Sequence, residues 1–411
     1  MVVVQQVASA GRVARRPVHN FQLRTRPWQI QPFFIAPVLP GETMKNLALQ
    51  SRVRTDPVKN GFIGWWNEYY LFYVKLRDLD GRADFENMIL TPGYSLAAYD
   101  FAANTSYYHA GPGISWVREC LKRVTSEYFR DEGEAWDAAL VGGLPLAGVN
   151  SQTWLDSAKV GTISPPAEED LPGPDVELPD WLTGWENQFA QYQHMRELKL
   201  TEATFEDWLR SFGVTPPKAA AELHRPELIR FVRDWAMPVD AQNSTGAPAA
   251  QVRWVHQEKA DKDRFFKEPG FLFGVTVSRP KIYLGNQKGS ASAMLNNAFS
   301  FLPALMSEYP YTSLREFQTS TGANGPLGNV PSGAYWVDVR DLYLYGDQFA
   351  NFDLGTAGLA ANAVALPTAS LAKRFATDAE MTALFSEAGS NQIRSEGVVS
   401  LAILGTQQDH T

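Results

Sequence analysis

A single cysteine, Cys120, stands among the 411 residues. That excludes an internal disulfide framework and any multi-cysteine metal site. No apolar run reaches the length of about 18 residues that a membrane-spanning helix requires. The six histidines (His19, His109, His194, His224, His256 and His410) contain no His-Glu-x-x-His arrangement, so the zinc-protease signature is missing. A Gly-x-Ser-x-Gly elbow is missing too. Gly322-Ala-Asn-Gly325-Pro-Leu-Gly328 precedes a strand pattern instead of joining a strand to a helix, so it lacks the helix N-terminus that a phosphate cradle needs. Gly111-Pro-Gly113 does precede a helical pattern, but no other nucleotide-binding feature accompanies it. What the chain has in excess is aromatic: 12% of residues, with 12 Trp, against ordinary apolar (45%) and charged (20%) fractions. Such a composition excludes a disordered chain.

Charge is unevenly spread. Residues 1–60 hold nine Lys or Arg against Glu42 and Asp56, a balance of +7; with a net charge of −8 overall, residues 61–411 carry −15. The whole molecule is therefore not a general nucleic-acid binder. Its start is different: Arg12, Arg15, Arg16, Arg24 and Arg26 are accompanied by no acid. Such an arm suits phosphate neutralisation by counterion release, and a frayed basic terminus is the plainer alternative. The valines at positions 2–4 are too few for a signal peptide, and Pro17, Pro27 and Pro32 count against a long transit helix. A cytosolic setting with a reduced thiol is expected.

Period-two patterns dominate both ends. Thr43–Val53 sets Leu47, Leu49 and Val53 against Met44, Asn46, Gln50 and Arg52. Trp66–Arg77, Phe271–Val277, Tyr335–Tyr345 and Val398–Leu404 also read as strands. Helical spacing appears between them, at Ser115–Phe129, Trp185–Leu198, Thr204–Phe212 and Pro226–Trp235. Ala167–Asp180, with six acids and no base, reads as a solvated loop, as do Ala241–Ala250 and Ser320–Gly333. The expectation is one mainly β domain over residues 33–411 behind a basic arm at 1–32, with a helical and looped insertion at about 78–265. Alternating βαβ units do not fit.

No constellation announces catalysis. Cys120 falls near the apolar side of its helix and is expected to be a buried, inert thiol. Asp338 and Asp341 lie three apart on a strand and so point to opposite faces. Asp347, Asn351 and Asp353 with Gly355 are weak candidates for a hard cation, off the EF-hand spacing, and a turn is the plainer reading. The expected protein is not an enzyme and uses no cofactor. Trp65, Trp66, Tyr69, Tyr70, Phe72 and Tyr73 exceed what one strand face buries. Such a strand is central in a two-layer body, covered by another subunit, or a stacking surface for single-stranded nucleic acid.

Several blocks carry a family resemblance. Residues 33–79, with Pro37-Val38-Leu39-Pro40-Gly41-Glu42-Thr43, Asp56-Pro57 and Gly64-Trp65-Trp66 leading into Tyr70-x-Phe72-Tyr73-Val74, resemble the N-terminal jelly-roll region of the major capsid proteins of small single-stranded DNA phages, the Microviridae. Trp185–Gly213, ending in Ser211-Phe212-Gly213, is similar to that family's helical segment. Arg264-Phe265-Phe266, Pro269-Gly270 and Arg279-Pro280-Lys281 are similar to its return into the second half of the jelly roll. The resemblance implies an eight-stranded antiparallel jelly roll, a β-sandwich or barrel with very long loops. It further implies an icosahedral shell of sixty copies built through pentamers around circular single-stranded DNA. Partners implied are a DNA pilot protein, a small basic DNA-binding protein, an internal scaffolding protein during assembly and a host-surface receptor. Location would be the virion, assembled in the host cytoplasm. On this view the arginines at 12, 15, 16, 24 and 26 face the interior and touch DNA, and the acidic loop faces outside. A jelly-roll carbohydrate-binding protein or glycosidase is the competing class, because paired carboxylates in an aromatic cleft are a spatial feature.

Overall fold

A computed structural model describes residues 13–59, 61, 63–90, 115–130, 135–141, 144–149, 206, 209, 214, 224–242, 246, 248–260, 262–280, 283–284, 314–317, 335–338, 363–364, 378–387 and 392–405. In chain order the framework strands begin with β1 (Val13–Arg15), β2 (Val18–Thr25), β3 (Gln31–Val38), β4 (Thr43–Thr55) and β5 (Trp65–Lys75). They continue with β6 (Glu227–Ala236), β7 (Val239–Gln242), β8 (Pro248–Gln251), β9 (Arg253–Lys259), β10 (Arg264–Phe265), β11 (Gly270–Pro280) and β12 (Ile393–Gly405). Helix α1 is Arg82–Leu90 and helix α2 is Trp116–Tyr128. The fold is mainly β with antiparallel sheets.

Sheet 1 has β12 and β4 at its centre. β1 and β2 pair end to end along β12, and β9 and β10 pair end to end along β4. Sheet 2 runs β3, β11, β5, β6. β7 and β8 form a separate hairpin.

β4 shows how sequence sets the faces. Leu47, Leu49, Ser51, Val53 and Thr55 are buried, while Gln50, Arg52 and Arg54 are exposed. Met44 was expected on the outward set but is buried, because the register against β12 slips by one residue at Lys45 and reverses every face beyond it. Between the sheets, Phe21, Leu49, Val399 and Leu401 meet Phe33, Tyr69, Leu71 and Tyr73. The tip of the Phe33 ring sits over Gly274, where a Cβ would fall 2.5 Å from its Cζ.

The other face of sheet 2 is sealed within the chain. Val117, Cys120, Leu121 and Val124 of α2, the stripe foreseen from the sequence, cover Phe72, Val74, Phe273 and Val275. β5 is apolar on both faces because sheet 2 lies between sheet 1 and α2, three layers where the sequence reading expected two or a second subunit.

Several expectations need correction. Residues 13–25 are not a free arm, and position 32 falls inside β3; the leading strands close one edge of sheet 1 on β12. Pro226–Trp235 is not a helix but edge strand β6, where Val232 enters the core beside β5 while Phe231 and Trp235 stay exposed against Tyr70 and Trp66. The span 78–265 is not only helices and loops, because it supplies β6–β10. Ala241–Ala250 is in part the β7/β8 hairpin, turning near Gly246 with φ +81°. Of the expected Tyr335–Tyr345 strand, Tyr335–Asp338 is described and pairs with Leu314–Phe317, and 339–345 lie outside the described residues. Only Glu206 and Leu209 of Thr204–Phe212 are described, both helical. Trp185–Leu198, the acidic loop and Ser320–Gly333 lie outside the described residues.

Candidate polyanion-binding face

Residues directly opposite one another in neighbouring antiparallel strands share a face. The register of sheet 1 sets Arg24 opposite Arg394, Arg394 opposite Arg54, and Arg54 opposite Arg253. One row of four arginines therefore crosses β2, β12, β4 and β9, and all four are exposed on the outer face. Strands lie about 4.8 Å apart, so the row is roughly 14 Å long. Arg52, two residues along β4, sits opposite Glu396 and widens the patch. Arg24, Arg52, Arg54, Arg394, Gln22 and Glu396 line a shallow groove of about 580 Å³.

Like charges placed opposite across a sheet are destabilising. Two members have some relief. Arg394 Nη2 meets Asp56 Oδ1 at 3.1 Å, and Arg253 Nη2 donates to Gln251 Oε1 at 3.4 Å. Among the described residues, no carboxylate lies within ion-pair distance of Arg24, Arg52 or Arg54. Five arginines against Asp56 and Glu396 leave the patch at +3. Guanidinium groups donate paired N–H bonds to phosphate oxygens, and a rigid sheet presents them at fixed spacing. Such an arrangement suits an extended anion, met by charge alone and without contacts that read base sequence.

The arginines singled out from the sequence separate here. Arg12 lies outside the described residues. Arg15 is structural: its Nε and Nη2 donate to Glu42 Oε1 and Oε2 at 3.1 and 2.8 Å. Glu42, only 1% exposed, also accepts the Leu39 amide at 2.8 Å, which pins β1 to the turn between β3 and β4. Arg16 and Arg26 each engage a partner within the molecule. Arg24 alone joins the row. Arg54, Arg253 and Arg394 were not singled out. The one local signal was the Arg52-x-Arg54 spacing within a strand, since alternation puts both side chains on one face.

The other candidates resolve as follows. Cys120 is fully buried, and desolvation together with Glu119 pushes its thiol well above its ordinary range, so it is no nucleophile. His19 is not in a tail but on β2, edge-on to Phe34 at 5.2 Å between ring centroids. Asp347, Asn351 and Asp353 lie outside the described residues. Among the described residues, no cluster of three His, Cys, Asp or Glu is placed to hold a metal. No described helix is long and apolar enough to cross a membrane.

At the edge where β6 faces β9, the sheets are laced together. Arg230 Nη2 reaches Glu258 Oε2 at 2.6 Å. His256, buried with its ring edge-on to Tyr69, has Nδ1 2.8 Å from Asp234 Oδ2 but without hydrogen-bond alignment. Desolvation lowers the His256 pKa, against the pull of Asp234 and Glu258. The chain matches no protein-family model and no curated protein.

Proposed function

We propose that this chain is the major capsid protein of a small icosahedral shell enclosing circular single-stranded DNA, with an eight-stranded jelly roll as its framework. The observation that carries the reading is the strand order. Four strands in the order β2-β12-β4-β9 face four in the order β3-β11-β5-β6. The last strand lies between the first and third of the eight, and most successive strands change sheets, as a jelly roll requires. Two excursions interrupt it, residues 76–226 between β5 and β6 and 281–392 between β11 and β12. They account for the very long loops that the family resemblance implies.

The arginine row supports a nucleic-acid partner. It supplies positive charge on a chain of net −8, on one sheet face and without base-reading geometry. In the proposed shell this face turns inward, toward DNA phosphates. Pilot, small basic and scaffolding proteins, and a host receptor, are the further partners the resemblance implies. Negative-stain microscopy and sedimentation of the purified assembly, with nuclease-protected DNA quantified, test the reading. Closed shells holding protected single-stranded DNA are expected. A stable monomer of chain mass under assembly conditions would overturn it in favour of a jelly-roll carbohydrate-binding protein or glycosidase.

A further inference from the structure

Helix α2 covers only the Lys75 half of the outer face of sheet 2. Beyond Tyr70 the centre of the face is buried too, at Glu68 and Val277, and what stands exposed is its border, edge strand β6. Nine large apolar residues of the described chain are exposed, and five of them follow this one edge: Leu228, Phe231, Trp235, Met237 and Val239. Trp235 is 52% exposed yet held in place, its indole seated on Gly64 and tilted toward Trp66 at 6.4 Å between ring centroids. Phe231 stacks against Tyr70 at 4.7 Å. These rings are preorganised at a surface, the composition that anchors protein interfaces.

Charge distinguishes this face from the arginine row. Arg233 stacks over Trp66 at 4.2 Å, and Arg233 and Arg279 both close on the buried carboxylate of Glu68, at 3.2 and 2.8 Å. The Tyr70 hydroxyl donates to the same carboxylate at 2.9 Å. With Glu227 and Asp234 also on β6, the patch is close to neutral, so a polyanion has little to gain here. β6 pairs only with β5 among the described residues, so its second row of backbone N–H and C=O groups faces outward there.

We propose that β6 pairs antiparallel with β6 of a second copy of this chain across a two-fold axis, continuing sheet 2 from one copy into the next. The inference rests on the shell reading, which requires contacts between copies. The strand's own charges fit a self-complementary, isologous contact. With Val232 on the axis, Phe231 stands opposite Arg233 of the second copy. Arg230, already on Glu258 of its own chain, stands opposite Asp234 of the second copy, which already faces His256, so the contact extends existing pairs, twice each. Phe231 and Trp235, 43% and 52% exposed, have about half of the roughly 150–250 Å² of an aromatic side chain left to bury. They supply about a quarter of the roughly 800 Å² per partner of a standard interface, with Leu228, Met237, Val239 and the paired backbone adding to it.

The buried, unreactive Cys120 makes a site-specific test direct, because an introduced thiol is the reactive one. Arg233→Cys, treated with a short bis-maleimide, should give a covalent dimer in assembled particles. Adding Phe231→Lys should abolish that dimer and weaken dimerisation by tenfold or more in sedimentation equilibrium, with unchanged circular dichroism. Intact shells that yield no crosslink, or Phe231→Lys shells formed at wild-type yield, overturn the pairing and leave the shell reading standing. If the wild-type chain forms no shells, concentration-dependent dimerisation sensitive to Phe231→Lys still supports the pairing. A strict monomer at all concentrations overturns both.

Discussion

On sheet 1 the outward residues of β4 are Gln50, Arg52 and Arg54, all in solvent; on sheet 2 those of β5 are Trp66, Glu68, Tyr70, Phe72 and Val74, the last two sealed under α2. Both strands sit inside an antiparallel sheet, and both bury their inward residues in the same core. The difference lies in what each outer face has to meet. A face covered by its own helix gains from every apolar group it can bury. The bare face gains nothing from the mutual repulsion of four aligned arginines. A row whose like charges oppose one another, with relief only at Arg394 on Asp56 and at Arg253 on Gln251, suits an external anion. Arginine therefore has two uses here: Arg15 and Arg233 hold the fold by closing on buried carboxylates, while Arg24 and Arg54 are spent outward.

The largest expected effect breaks the covered side. Phe72→Ala removes a fully buried ring from beneath α2 and should lower unfolding stability by about 3–5 kcal/mol in a denaturant titration. A loss under about 1 kcal/mol would mean that α2 does not seal sheet 2. Next comes the contrast within the arginines. Arg15→Ala leaves Glu42 buried without its cation, at a cost of about 3 kcal/mol. Arg24→Ser should stay within about 0.5 kcal/mol of wild type. Equal losses from both would dissolve the distinction between the paired arginine and the row.

That contrast marks how far the sequence could be read. Alternation located the cores of β4, β5, β11 and β12, because a strand with one buried face writes its register into two-residue spacing. The i, i+4, i+7 stripe of Val117, Leu121 and Val124 located α2 for the same kind of reason. Pro226–Trp235 misled because a short apolar run with a proline at its start fits a first helical turn as well as an edge strand, and only β5 decides between them. The arginine row was beyond local reading. Arg24, Arg54, Arg253 and Arg394 are up to 370 positions apart and become neighbours only through strand registers. Counting charge over the first 60 residues found the excess but assigned Arg15 and Arg24 to one role.

A smaller effect sharpens the inner edge between the sheets. The folded His256 pKa lies below its usual value of 6.5, chiefly through desolvation. The unfolded chain therefore binds its proton more readily. Its contribution to stability is complete above about pH 6.5 and is lost as the pH falls through the depressed folded value. Asp234, Glu258 and the Tyr69 ring are the groups that face it. Urea midpoints measured from pH 7.5 to 5 should fall less steeply for His256→Phe than for wild type. Parallel curves would show that protonation of this residue does not weaken the contact between β6 and β9.

The smallest change in stability carries the sharpest test of the bare face. Arg54→Gln removes the charge that lies opposite both Arg394 and Arg253, so it should leave stability unchanged or raise it by a few tenths of a kcal/mol. The same substitution should weaken binding of single-stranded oligodeoxythymidine. Each lost phosphate contact lowers the steepness of log K against log salt by about 0.7. Arg24→Gln should act alike, Arg394→Gln should match it in binding while loss of its exposed pair with Asp56 offsets the gain in stability, and the triple variant should flatten the slope by about 2, with no dependence on base composition. Stability and binding then move in opposite directions at the same residues. That divergence separates a row kept for a ligand from arginines kept for the fold, where both quantities fall together. If the triple variant loses stability and keeps its salt slope, the row belongs with Arg15 as a structural device.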